Sequence, residues 1–154
     1  MRKMKRNILL GMLLLFIFGM VSGCTTSSSK TYTFTVDNGD IIKITLDTAD
    51  GYDISSNVPF EISCDGEALS QGSFIQGEAY QQYVDVVNKD ENAELLDSGE
   101  KDGNSYIFWC YNKSEYNYAV LVNGSDTGVI LGNTTSADSA RECFERMIIK
   151  VEEN

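Results

Sequence analysis

Apolar and polar positions alternate through much of the chain. Tyr32-Thr33-Phe34-Thr35-Val36 has the period of two expected of a half-buried strand, and after the turn pair Asn38-Gly39 the same period returns in Ile42, Ile44 and Leu46. A first hairpin is predicted there. The stretch from Asp47 to Asn57, rich in Asp, Gly and Ser, reads as a loop, and Phe60–Cys64 and Ala68–Phe74 flank Asp65-Gly66 as a second hairpin. Between Gly77 and Asn88 the period changes. Ala79, Tyr80, Tyr83, Val86 and Val87 recur at intervals of three and four, which predicts a helix with one apolar stripe, started favourably by Glu78. Four short apolar runs follow, at 93–96, 106–111, 116–122 and 129–131, separated by turns rich in Asn, Asp and Gly. They predict an antiparallel meander. The runs Tyr106–Tyr111 and Tyr116–Val122 are apolar on both faces, as strands covered on both sides would be. A last helix is expected from about Ser136 to Lys150, with Ala140, Cys143, Phe144, Met147 and Ile148 on one face. Thr135 or Ser136 can cap it, and Asp138 sits in its first turn. The expected fold class is therefore α+β: an antiparallel sheet of about six to eight strands flanked by two helices, all within residues 32–154.

The beginning of the chain has a different character. Arg2, Lys3, Lys5 and Arg6 precede an apolar run from Ile8 to Val21, interrupted only by Gly11 and Gly19. A charged segment followed by an apolar one is the layout of an export signal. The run has roughly 14 residues, fewer than the ~20 that a permanent membrane-crossing helix needs. It ends in Val21-Ser22-Gly23-Cys24, which resembles the lipobox of bacterial lipoprotein signal peptides: an aliphatic residue, two small residues, and the cysteine that is diacylated before cleavage. The resemblance implies a signal peptide over 1–23 and lipidation at Cys24. It further implies a lipid anchor in the cell membrane with the domain on its extracytoplasmic side. Thr25-Thr26-Ser27-Ser28-Ser29-Lys30 has nothing apolar to bury, so residues 24–31 read as the lipidated cysteine and a short tether.

Charge narrows the partners. The chain holds 12 basic and 23 acidic residues, and every acidic one lies beyond Cys24. Loss of the signal would remove four basic residues, leaving 8 basic against 23 acidic, a formal charge of −15 over 131 residues. A surface so acidic repels nucleic acid and anionic headgroups, so no nucleic-acid role is expected. The implied partners are the membrane, through lipid on Cys24, and an envelope protein.

The chain contains no histidine. That removes the commonest general base, the usual partner of a serine or cysteine nucleophile, and the commonest zinc ligand. Cys64, Cys110 and Cys143 form an odd set within apolar stretches, and no basic run adjoins Cys110 or Cys143 to stabilise a thiolate. No enzyme and no cofactor is expected. Two binding constellations stand out nonetheless. Asp47, Asp50 and Asp53 share one loop and could offer oxygen ligands to calcium, although the EF-hand spacing is missing; solvated turn acids are the plainer reading. Trp109, Tyr111, Tyr116 and Tyr118 crowd one hairpin, either to stack on a sugar or peptide or to pack beneath a helix. Three Asn-x-Ser/Thr sequences, at Asn112, Asn123 and Asn133, read as turn chemistry.

The order of elements resembles the PsbP-like fold, an antiparallel sheet between helices. It is also similar to small gut-bacterial lipoproteins of unknown role, through Gly72-Ser73-Phe74-Ile75, Tyr80-Gln81-Gln82-Tyr83, Tyr106-Ile107-Phe108, Tyr116-Asn117-Tyr118 and Leu121-Val122-Asn123-Gly124-Ser125. This resemblance implies architecture and not activity. The expected function is a membrane-anchored, non-enzymatic binding or accessory domain at the cell envelope. A small-molecule or carbohydrate binder using the aromatic hairpin is the alternative.

Overall fold

The computed structural model describes residues 28–153; the signal segment, Cys24 and the tether through Ser27 lie outside the described residues. Among the described residues ten strands and two helices follow one another as β1 (Ser29–Thr35), β2 (Ile41–Asp47), a single 3-10 turn (Ala49–Gly51), β3 (Tyr52–Ile54), β4 (Phe60–Cys64) and β5 (Glu67–Gln76). Then come α1 (Gly77–Lys89), β6 (Ala93–Lys101), β7 (Asn104–Tyr111), β8 (Glu115–Leu121), β9 (Thr127–Asn133), α2 (Ala137–Glu145) and β10 (Met147–Val151). The class is α+β. Seven strands form one antiparallel sheet in the order β3-β4-β5-β9-β8-β7-β6, and β1-β2-β10 form a second, three-stranded sheet.

Turn chemistry fixes the hairpins. Asp65-Gly66, Asp102-Gly103 and Asn112-Lys113 all hold positive φ at both residues, the backbone that matches the twist of a tight antiparallel pair. Strand alternation then sorts the side chains of the large sheet into two cores. Phe108, Tyr118, Val120, Val129 and Leu131 point to one face, where they meet Ala140, Cys143 and Phe144 of α2 and Ile42, Ile44 and Leu46 of β2. Ile107, Trp109 and Ala119 point to the other face and pack with Val87, Tyr80 and Tyr83 of α1. Double coverage is why β7 and β8 are apolar on both sides.

Two expectations are corrected. The final helix does not reach Lys150; it stops at Glu145, and Met147–Val151 is a strand. The residues themselves give the reason. Met147 and Ile149 are buried while Ile148 is 42% exposed, a period of two, and the open edge of β2 supplies hydrogen-bonding partners. The first hairpin forms as expected, and β10 adds to its β2 edge to make the small sheet. Finally, residues 29–31 belong to β1, and the Ser28 carbonyl accepts from Thr48 N at 3.0 Å, so the end of the expected tether is part of the folded domain. The Asp47–Asn57 loop also holds the short strand β3.

Candidate functional site

The four aromatic residues of the central hairpin do not meet on one surface. Trp109 and Tyr111 face α1, and the Trp109 ring lies 5.6 Å from that of Tyr83. Tyr116 and Tyr118 face the opposite core. There Tyr118 is stacked between Phe108 at 4.2 Å and Phe144 at 4.1 Å. Burial pushes its phenol well above the ordinary range. Trp109 is 6% and Tyr118 4% exposed, so neither ring can clasp a ligand from solvent. Tyr111 and Tyr116 are half-buried, on opposite faces.

The loop carboxylates also part company. Arg146, at the end of α2, donates to Asp50 Oδ2 at 2.9 Å, to Glu142 Oε1 at 3.1 Å and to the Ala49 carbonyl at 3.0 Å. Its guanidinium lies 3.6 Å from Asp47 and 4.0 Å from the centre of the Tyr52 ring. Asp53 pairs instead with Lys30 at 2.7 Å, and this bond holds its carboxyl below the usual range. Two of the three acids thus anchor their loop to α2, and the third ties it to β1. Among the described residues no three Asp, Glu, Cys or His side chains gather as metal ligands.

All three described cysteines are free thiols. Cys110 and Cys143 are buried, and burial raises the Cys143 thiol above its ordinary value; the half-buried Cys64 thiol is raised as well, chiefly by desolvation and the nearby Asp65 carboxylate. A raised thiol pKa disfavours the nucleophilic thiolate.

A site not foreseen from the sequence lies on the large sheet. Gln71 of β5, Gly132 of β9 and Asn117 of β8 stand side by side in one row of the register. Their strand parity is that of Ala119 and Ile130, so they share the face that α1 covers elsewhere along these strands. Where α1 does not cover it, a groove of about 400 Å³ opens over this row, bordered by Ser70, Glu115 and Thr134. That volume is within the span of small-molecule sites. Asn133 adjoins the groove but is committed to structure: its amide donates to Ser70 Oγ and Ser139 Oγ, both at 3.0 Å, and its carbonyl oxygen accepts from Thr135 N at 2.8 Å. This is the turn chemistry expected of the Asn133 sequence, and with Ser136, whose Oγ accepts from Ser139 N, it starts α2. The sequence carried one signal of the groove, a lone glycine within the apolar run Val129-Ile130-Leu131-Gly132, which marks close approach or open space over a strand.

Comparison with protein-family models, with curated proteins and with solved structures returns no match. Among the described residues no helix is long and apolar enough to cross a membrane.

Proposed function

We propose that this protein is a bacterial lipoprotein, exported and acylated at Cys24, whose PsbP-like domain acts without catalysis as a binding or accessory module on the extracytoplasmic side of the membrane. The observation that carries this reading is Val21-Ser22-Gly23-Cys24 placed directly after a charged segment and an apolar run of roughly 14 residues. Two acyl chains hold a protein at a bilayer far more firmly than one. The fold adds a distance. With Ser28 already bonded to Thr48, only the chain between Cys24 and Ser28 spans from lipid to domain, about 14 Å when fully extended. The domain is therefore held against the membrane surface and can meet only what lies at the envelope.

The absence of histidine, the raised thiols of Cys64 and Cys143 and the commitment of the loop acids to Arg146 and Lys30 all favour binding over catalysis. The test replaces the acceptor: Cys24→Ser in cells fed labelled palmitate. Wild type is expected to carry label and to fractionate with membranes, while the variant remains an unlabelled precursor. Normal processing and membrane retention of the variant would refute the anchor. The binding role is tested by crosslinking in whole cells, where failure to capture any partner or ligand across growth conditions speaks against it.

A further inference from the structure

The strand glycines of the large sheet differ in what their missing side chain leaves room for. A Cβ on Gly72 would sit 2.1 Å from Phe60 Cζ, and one on Gly128 would sit 2.9 Å from the Val120 carbonyl and from Ile75. Both glycines are spoken for by packing. A Cβ on Gly132 would meet only Asn117 Oδ1, at 3.4 Å, an ordinary contact. Glycine weakens a strand, most of all in the middle of a sheet, and β9 is the central strand of seven. Here no neighbouring side chain fills the space; the space is the floor of the groove.

The lining selects among ligand classes. Gln71 and Asn117 bring amides that both donate and accept, Thr134 brings a hydroxyl that does the same, and Glu115 is the only charged residue of the lining. An anion would find no lysine or arginine there and a carboxylate instead. An apolar ligand would strip water from two amides and a carboxylate without replacing their hydrogen bonds, which is unfavourable. A cation would engage Glu115 and leave the neutral groups without a role. A molecule with closely spaced neutral hydroxyls matches donors and acceptors together. Tyr111, which pairs with Glu115 in the β7–β8 register, packs with Trp109 toward α1 and is not part of the lining.

We infer that the groove over Gly132 is a binding site for a neutral saccharide, recognised by Gln71, Asn117, Thr134 and Glu115. This deepens the reading of the domain as a non-enzymatic binding module and rests on it.

The test uses the full lipoprotein in a zwitterionic detergent without sugar groups. Saturation-transfer NMR is run against neutral hexasaccharides of glucose, mannose, galactose and xylose, with a polyuronate and an oligolysine as charged arms. At least one neutral saccharide is expected to bind, with affinity reduced fivefold or more by Gly132→Ala and by Gln71→Ala and unchanged in Gly99→Ala, which lies on β6 away from the groove. Gln71 is exposed, so its replacement keeps the test valid should Gly132→Ala perturb the sheet. Binding by none of the neutral saccharides, binding by the charged arms alone, or equal binding by wild type and both groove variants would overturn the inference. The two readings fail separately. A protein partner captured equally by wild type and Gly132→Ala, with no saccharide bound, leaves the binding module standing and removes the saccharide. Loss of the Cys24 anchor in the palmitate experiment leaves the NMR result untouched.

Discussion

Arg146 shows how much one side chain can organise. It is mostly buried, lies over the Tyr52 ring, and spreads its fork over Asp50, Glu142 and the Ala49 carbonyl, so the 3-10 turn and the end of α2 are held by one planar group. Lysine carries the same charge but cannot present this fork or stack in the same way. Arg146→Lys is accordingly expected to lose about 1–3 kcal/mol in urea unfolding, the range for charge-assisted hydrogen bonds broken at a partly buried group. Asp50→Ala, at an exposed partner, should lose under about 1 kcal/mol. Tyr118 supplies a prediction of opposite character. Its pKa is raised because the folded protein keeps the phenol neutral between two rings, whereas the unfolded chain ionises it near pH 10. Its contribution is complete below that pH and falls as pH rises further, by about 1.4 kcal/mol per unit for one group. Wild type should therefore lose more stability than Tyr118→Phe between pH 9 and pH 11, measured by paired urea melts.

At the scale of elements, what could be read from the sequence was whatever local period and turn chemistry decide. Asp65-Gly66 and Asp102-Gly103 specify their hairpins through positive φ, and the three-and-four spacing of Ala79, Tyr80, Tyr83 and Val87 specifies α1. The alternation of Met147 and Ile149 was hidden because Cys143, Phe144, Met147 and Ile148 also fit a helical stripe. Only the unpaired edge of β2, more than a hundred positions earlier in the chain, decides between them. The groove was hidden for the same reason, since Gln71, Asn117 and Glu115 become neighbours only after β9 inserts between β5 and β8. The aromatic hairpin misled in the reverse sense: adjacent rings in sequence alternate between two faces, and both faces are covered. The strand assignment makes its own prediction. Ile149→Ala should lose about 2–4 kcal/mol, as deletion of a buried branched side chain does, while Ile148→Ala, at a 42% exposed position, should lose under about 1 kcal/mol. A helix through Lys150 would give Ile148 the larger loss, so chemical unfolding of the two variants separates the alternatives.

The molecule as a whole is shaped by its charge. Beyond Cys24 the chain carries 23 acidic against 8 basic residues, and many of the acids border turns, as Asp65, Asp102 and Asp126 do. Such a body repels itself and any anionic bilayer, with a reach of about 8 Å at physiological ionic strength. Were Cys24 acylated as proposed, a leash of about 14 Å would let the domain stand just beyond the strongest repulsion while keeping it from partners deeper in the medium. On this account the lipid is the whole of the membrane attachment. The mature sequence made with serine in place of Cys24 should not co-sediment with vesicles rich in phosphatidylglycerol at 0.15 M salt, and should not do so at 0.5 M, where screening removes the repulsion but leaves no attraction behind. Co-sedimentation that grows with salt would reveal an apolar contact with the bilayer, for which exposed Val58, Val86 and Leu95 are the residues to replace first.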